Sequence, residues 1–164
     1  MVARLTPEQS RVLAVLEGYL REQYEELDSV VAVEPDGANR WMIRLTGQTK
    51  DFTTIWFTVG DRTLQYESYF MPDPEENHEE LYRYLLFKNA NMYSSRFSLA
   101  DDHDIFITGQ LPLAAVDADE IDRVVGTIYA NVESYFGRAI RIGYASRFAS
   151  NEQEDEAGPI PGSL

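Results

Sequence analysis

The chain reads as an α+β domain in which an antiparallel sheet carries three helices, in the order α-β-β-β-β-α-β-β-α. Helical periodicity recurs in three separate stretches, and the segments between them are short and alternate apolar with polar residues. Those segments are joined by tight Gly- and Asp-containing turns, without the βαβ spacing of a parallel sheet. The domain is placed at residues 5–148, followed by an acidic mobile tail at 149–164.

The first helix starts at Thr6. Thr6 and Gln9 have capping-box spacing, and Pro7 takes the first helical position. Val12, Leu13, Leu16, Leu20 and Tyr24 form its apolar stripe, and it should end near Leu27. Strands are expected at Val30 to Glu34 and, after the Asp36-Gly37 turn, at Trp41 to Thr46. Two more are expected at Phe52 to Val59 and Arg62 to Met71, joined by a two-residue turn at Gly60-Asp61. Ile43, Leu45, Ile55, Phe57, Leu64 and Tyr66 then share one sheet face, while Met42, Arg44, Trp56, Glu67, Tyr69 and Met71 share the other.

A second helix follows Met71-Pro72-Asp73-Pro74, with Asp73/Glu76 or Asn77/Glu80 as its cap, and runs to about Tyr93. A hairpin comes next, with strands at Ser95 to Leu99 and Asp104 to Gly109. The third helix begins at Asp117, with Glu120 three residues on, and Gly143 closes it. Its stripe is Ile121, Val124, Val125, Ile128, Val132, Tyr135 and Phe136. Beyond Ser150 there are four acids and no base, with little to bury, so this stretch reads as tail.

The 164 residues suit one domain, and 44% hydrophobic content suffices for an ordinary core. With 28 acidic against 14 basic residues the net charge is −14, and removing the tail leaves about −10, so the acidity belongs to the domain. A field of that sign repels nucleic acid and anionic membrane. The start of the chain does not read as a signal peptide, and no apolar run approaches membrane-spanning length, so the expected location is the cytoplasm.

The chain has no cysteine and two histidines, which leaves carboxylates as the main general-base candidates. Asp101, Asp102, His103 and Asp104 resemble metal ligands, but consecutive residues of a turn point apart and calcium-loop spacing is missing, so they read as a polar turn. His78 lies among acids that suit a helix N-terminus. Glu67 is read as the cross-strand partner of Arg44. No catalytic residue, metal or cofactor is assigned.

Two surfaces invite partners. On the second helix Leu81, Leu85, Leu86, Tyr82, Met92 and Tyr93 share one arc that can pack on the sheet. Tyr84, Phe87 and Asn91 fall outside it and are assigned to a homodimer contact; coverage by strands or tail is the competing account. On the sheet's reverse face Met42, Trp56, Tyr69 and Met71 are assigned to partner binding, unless a helix covers that face.

Several segments then carry a resemblance. Arg40-Trp41-Met42-Ile43-Arg44-Leu45, Tyr66-Glu67-Ser68-Tyr69-Phe70-Met71-Pro72-Asp73-Pro74-Glu75-Glu76-Asn77, Leu85-Leu86-Phe87-Lys88-Asn89-Ala90-Asn91, and Gly126 with Arg141-Ile142-Gly143-Tyr144-Ala145-Ser146 resemble the actinobacterial YbjN-domain family. That family is similar in fold to type III secretion chaperones, which are small, acidic, usually dimeric proteins that hold partner segments in extended form, and it is also described as a group of sensory transduction regulators. The resemblance implies the fold, and no catalytic residue comes with it. The resulting expectation is a non-catalytic protein- or peptide-binding module, chaperone-like or regulatory, acting as a homodimer without cofactor. The alternative is a signalling regulator that senses a small ligand in a pocket between helices and sheet, and an enzyme is the least favoured reading.

Overall fold

The computed structural model describes residues 4–156, with side chains through residue 150. Helix α1 (Pro7–Glu26) starts as its local chemistry dictates: Thr6 Oγ1 accepts from the Gln9 N–H at 3.1 Å, and Gln9 Oε1 accepts from the Thr6 N–H at 2.8 Å. Val12, Leu16, Tyr19 and Leu20 are buried, whereas Tyr24 lies past the end of the packed stripe and is exposed.

Six strands follow: β1 (Val30–Pro35), β2 (Arg40–Thr46), β3 (Phe52–Val59), β4 (Thr63–Met71), β5 (Arg96–Leu99) and β6 (Ile105–Pro112). They form one antiparallel sheet in the order β1-β2-β3-β4-β6-β5. Helix α2 (His78–Asn89) therefore carries the chain from β4 to the far edge, and β6 returns to pair with β4. The β3–β4 reversal takes three residues, Gly60 to Arg62, rather than the expected two, and the Gly60 N–H bonds the Thr63 carbonyl at 2.9 Å.

Helices α1, α2 and α3 (Ala118–Gly143) contribute their buried residues to a single core with one face of the sheet. That face supplies Ile43, Ile55, Phe57, Leu64, Phe70 and Ile107; the helices supply Val12, Leu16, Leu81, Ile121, Ile128 and Val132. The N-cap of α3 is Asp117, whose carboxylate accepts from the Glu120 N–H at 2.8 Å. One turn of α3 is tied to the β2–β3 loop, because the Glu133 carboxylate accepts the N–H groups of Gln48, Thr49 and Lys50 at 3.0, 2.9 and 3.5 Å. Gly109 on β6 gives room to the Tyr66 ring opposite it, whose hydroxyl donates to the Ser94 carbonyl.

A fourth helix, α4 (Ala145–Glu156), runs from the end of the expected domain into the first part of the expected tail. Its start is anchored: Ser146 Oγ donates to Glu76 at 2.9 Å, and Arg147 pairs with Glu75. The stretch also carries good helix formers and meets neither Gly nor Pro until Gly158. Residues 157–164 of the expected tail lie outside the described residues.

Candidate functional site

The sheet's reverse face carries no helix of the core, but its apolar residues are not open. Arg40 reaches from β2 across to Glu67 on β4 at 3.1 Å, while also pairing with Asp36, and its guanidinium lies 4.1 Å over the Trp56 ring. Trp56 is thereby half-covered. Arg44, expected to partner Glu67, instead donates to Thr54 Oγ1 at 3.0 Å; the register sets Arg44 opposite Thr54, two residues out of reach of the Glu67 row. Met42 lies between Glu34 and Trp56 and is only 3% exposed, so it offers no docking area. Met71 is a correction of face: the register shifts between Tyr69 and Met71, and this bulge turns Met71 into the core against the Gly143 backbone. Of the predicted set Tyr69 is the most open, with its ring edge on Phe106.

Apolar exposure concentrates at the other end of the fold, where α2 lies beside edge strand β5. Leu81 and Leu85 face the core, and the next residues of the helix, Leu86 and Phe87, are 68% and 73% exposed. Tyr84, expected in the open, is half-buried against α3: its ring meets Tyr135 edge-on at 6.3 Å, with Arg138 and Lys88 over it. Burial pushes its phenol up, against the lowering effect of Arg138. Asn91 and Phe87 are both exposed. Leu86, assigned from the sequence to the packed arc, is the larger surprise; α2 rolls toward α3, so its far flank faces solvent above β5.

Between α2 and β5 runs an open groove of about 230 Å³ lined by Tyr82, Leu85, Leu86, Phe97, Leu99 and Ile105, with Asn89 and Ser98 as its polar members. Asn89 crosses from helix to strand. Its Oδ1 accepts the Phe97 N–H at 2.7 Å, and its Nδ2 donates to the Phe97 carbonyl at 3.3 Å. Sequence reasoning missed Asn89 and Leu99. The available signal was the helix ending at Asn89 with a four-residue strand seven positions later.

The β5–β6 turn, which joins Leu99 to Ile105, is polar, as expected. His103 adopts φ 68°, Asp102 accepts from the Asp104 N–H at 3.0 Å, and Asp104 accepts from the Asp73 N–H at 2.8 Å. Both histidines flank Asp73, His78 at 3.8 Å and His103 at 4.0 Å. Among the described residues no three His, Cys, Asp or Glu side chains converge closely enough to hold a metal ion, and no helix is long and apolar enough to cross a membrane.

A six-stranded antiparallel sheet with helices packed on one face and an apolar groove at its edge defines an α+β domain. The chain belongs to the YbjN family, whose model matches residues 13–141 and is described as "Putative bacterial sensory transduction regulator". A Mycobacterium leprae protein is 35% identical over 123 residues, 75% of this chain and 65% of its own length. A Mycobacterium tuberculosis H37Rv protein is 35% identical over 105 residues, 64% of this chain and 57% of its own. Both are described as uncharacterised, and the match spans less than two thirds of each. Among solved structures, a chain of the HopA1–SchA chaperone–effector complex superposes with a TM-score of 0.58 at 9% identity, covering 82% of this chain and 99% of its own. A chain of the ExoU–SpcU complex from the type III secretion system of Pseudomonas aeruginosa gives 0.44 at 9% identity, covering 77% and 96%. The HopA1–SchA superposition shows the fold likeness to type III secretion chaperones that the family resemblance implies.

Proposed function

We propose that this chain is a non-catalytic protein-binding module of the cytoplasm, which docks segments of a partner protein in the α2–β5 groove and self-associates through the outer side of α2. The observation that carries the reading is the cluster of Leu86, Phe87 and Leu99 at 68%, 73% and 51% exposure around one apolar groove. Large side chains left in water together mark an interface. The groove is open, and Asn89 already uses its amide on Phe97, so it lacks the converging polar groups by which a pocket orients a small ligand. Phe87 and Asn91 are the open candidates for the homodimer contact, with Tyr84 half-buried beside them against α3.

Affinity capture of the wild type and Leu86→Glu from the native host, with mass spectrometry, tests the docking surface. We expect partner proteins with wild type and their loss with the folded variant; equal recovery sinks the groove. Light scattering on Phe87→Glu tests self-association: monomers are expected, and an unchanged dimer removes this contact.

A further inference from the structure

The groove has an unusual floor. β5 is an edge strand of four residues, so its outward backbone groups are those of alternate residues, Phe97 and Leu99. A protein segment that joins a sheet edge as a new strand must bond to such groups. At Phe97 both are already taken, the N–H by Asn89 Oδ1 and the carbonyl by Asn89 Nδ2. The carboxamide thus stands in for a neighbouring strand, and only the Leu99 pair remains. This is a means of closing an edge against strand addition.

What remains is side-chain surface. Tyr82, Leu85, Leu86 and Asn89 recur at three- and four-residue steps along α2, forming the ridge into which a second helix seats its own side chains. Leu99 and Ile105 form the opposite wall. Charge defines the rest of the occupant. Glu80 lies in the first turn of α2, where its neighbour Glu79 pairs with Arg83; Asp101 and Asp102 lie in the turn that follows Leu99, and the whole chain carries −14. A chain of that charge favours an occupant with basic flanks.

Resting on the docking reading above, we infer that the α2–β5 groove receives an amphipathic α-helix with basic flanks from a partner protein, and that Asn89 selects against an added strand. The partner binds folded into a helix here, not in extended form.

The test uses the full chain and two fluorescent peptides of identical Leu/Lys composition, each about as long as α2. One has leucines at helical spacing (i, i+3, i+4, i+7); the other alternates strictly. Anisotropy should show saturable binding of the helical isomer, with the alternating isomer at least about tenfold weaker. Leu86→Glu should weaken the helical isomer about tenfold or more, although it adds a negative charge that strengthens any merely electrostatic adhesion of lysines. Asn89→Ala, which frees both Phe97 groups, should narrow the gap between the isomers. Asn89→Asp, which keeps the acceptor for Phe97 N–H, serves where the alanine variant melts without cooperativity. If the alternating isomer binds wild type as tightly, in a manner sensitive to Leu86→Glu, groove docking stands and the helix inference falls. Should neither isomer bind, or Leu86→Glu strengthen both, docking falls with it. A wild-type dimer in sedimentation that Leu86→Glu dissociates puts a second copy in the groove and overturns the inference.

Discussion

Replacing Glu133 with alanine removes the one side chain that ties α3 to the β2–β3 loop through three successive backbone donors. A hydrogen bond to a charged group contributes about 1.5–3 kcal/mol when both partners are shielded from water. Here the Lys50 contact is long at 3.5 Å and the loop is wetted, so water re-solvates much of what is lost. The net cost should be about 1–2 kcal/mol, which in a chain of this size lowers the melting temperature by roughly 2–8 °C. The acid response follows from the same contacts. Partial burial pushes the Glu133 carboxyl up, but the N–H groups of Thr49, Gln48 and Lys50 outweigh it and hold the group below its ordinary value. A carboxyl that is more acidic folded than unfolded stabilises fully above its unfolded pKa of about 4.3 and loses that contribution as pH falls through the folded value. Urea unfolding of wild type and Glu133→Gln should show a constant difference in midpoint from neutral pH to about 5.5, shrinking below about 4. A difference that persists undiminished in acid, or a loss below about 0.5 kcal/mol for Glu133→Ala, refutes the clamp.

Gly109→Ala places a Cβ in steric clash with the Ser94 carbonyl and the Tyr66 ring. Either β4 or the segment before β5 must shift, so we expect a loss of about 1–3 kcal/mol by urea unfolding, and a near-neutral result would show that Tyr66 moves freely. Tyr19 donates its hydroxyl to Asp122 at 2.7 Å across the α1–α3 contact, and burial first, then Asp122, pushes its phenol upward. Tyr19→Phe should cost about 1–2 kcal/mol, and the wild-type chain should keep one more tyrosine un-ionised than the variant's spectrophotometric titration through pH 10 can account for; coincident curves after correction for one phenol would remove the buried-hydrogen-bond account.

Much of the fold was legible because its causes are local. The Thr6–Gln9 box, the Asp117–Glu120 cap, the Asp36-Gly37 turn and the two-residue period of β2, β3 and β4 are each decided within a few residues. Such signals survive in one dimension because neither the partner nor the geometry lies far along the chain. The family resemblance supplied the global likeness that local signals could not.

The docking surface was legible only in outline. An excess of aromatics on α2 drew attention to that helix, yet it put Tyr84 in the open and Leu86 under cover, whereas Tyr84 is half-buried and Leu86 exposed. Which flank of a helix is buried depends on the roll imposed by α3 through Tyr135 and Arg138, some 50 residues away. The reverse face failed for a similar reason: a one-residue bulge turned Met71 inward, and a guanidinium spanning three strands covered Trp56. By itself, then, the sequence determined the elements, the acidic charge and the absence of thiol chemistry. The tertiary structure alone decided which apolar residues remain in water and that Asn89 closes the β5 edge. Those outcomes follow from register and packing between distant segments, and a residue's local pattern carries no record of either.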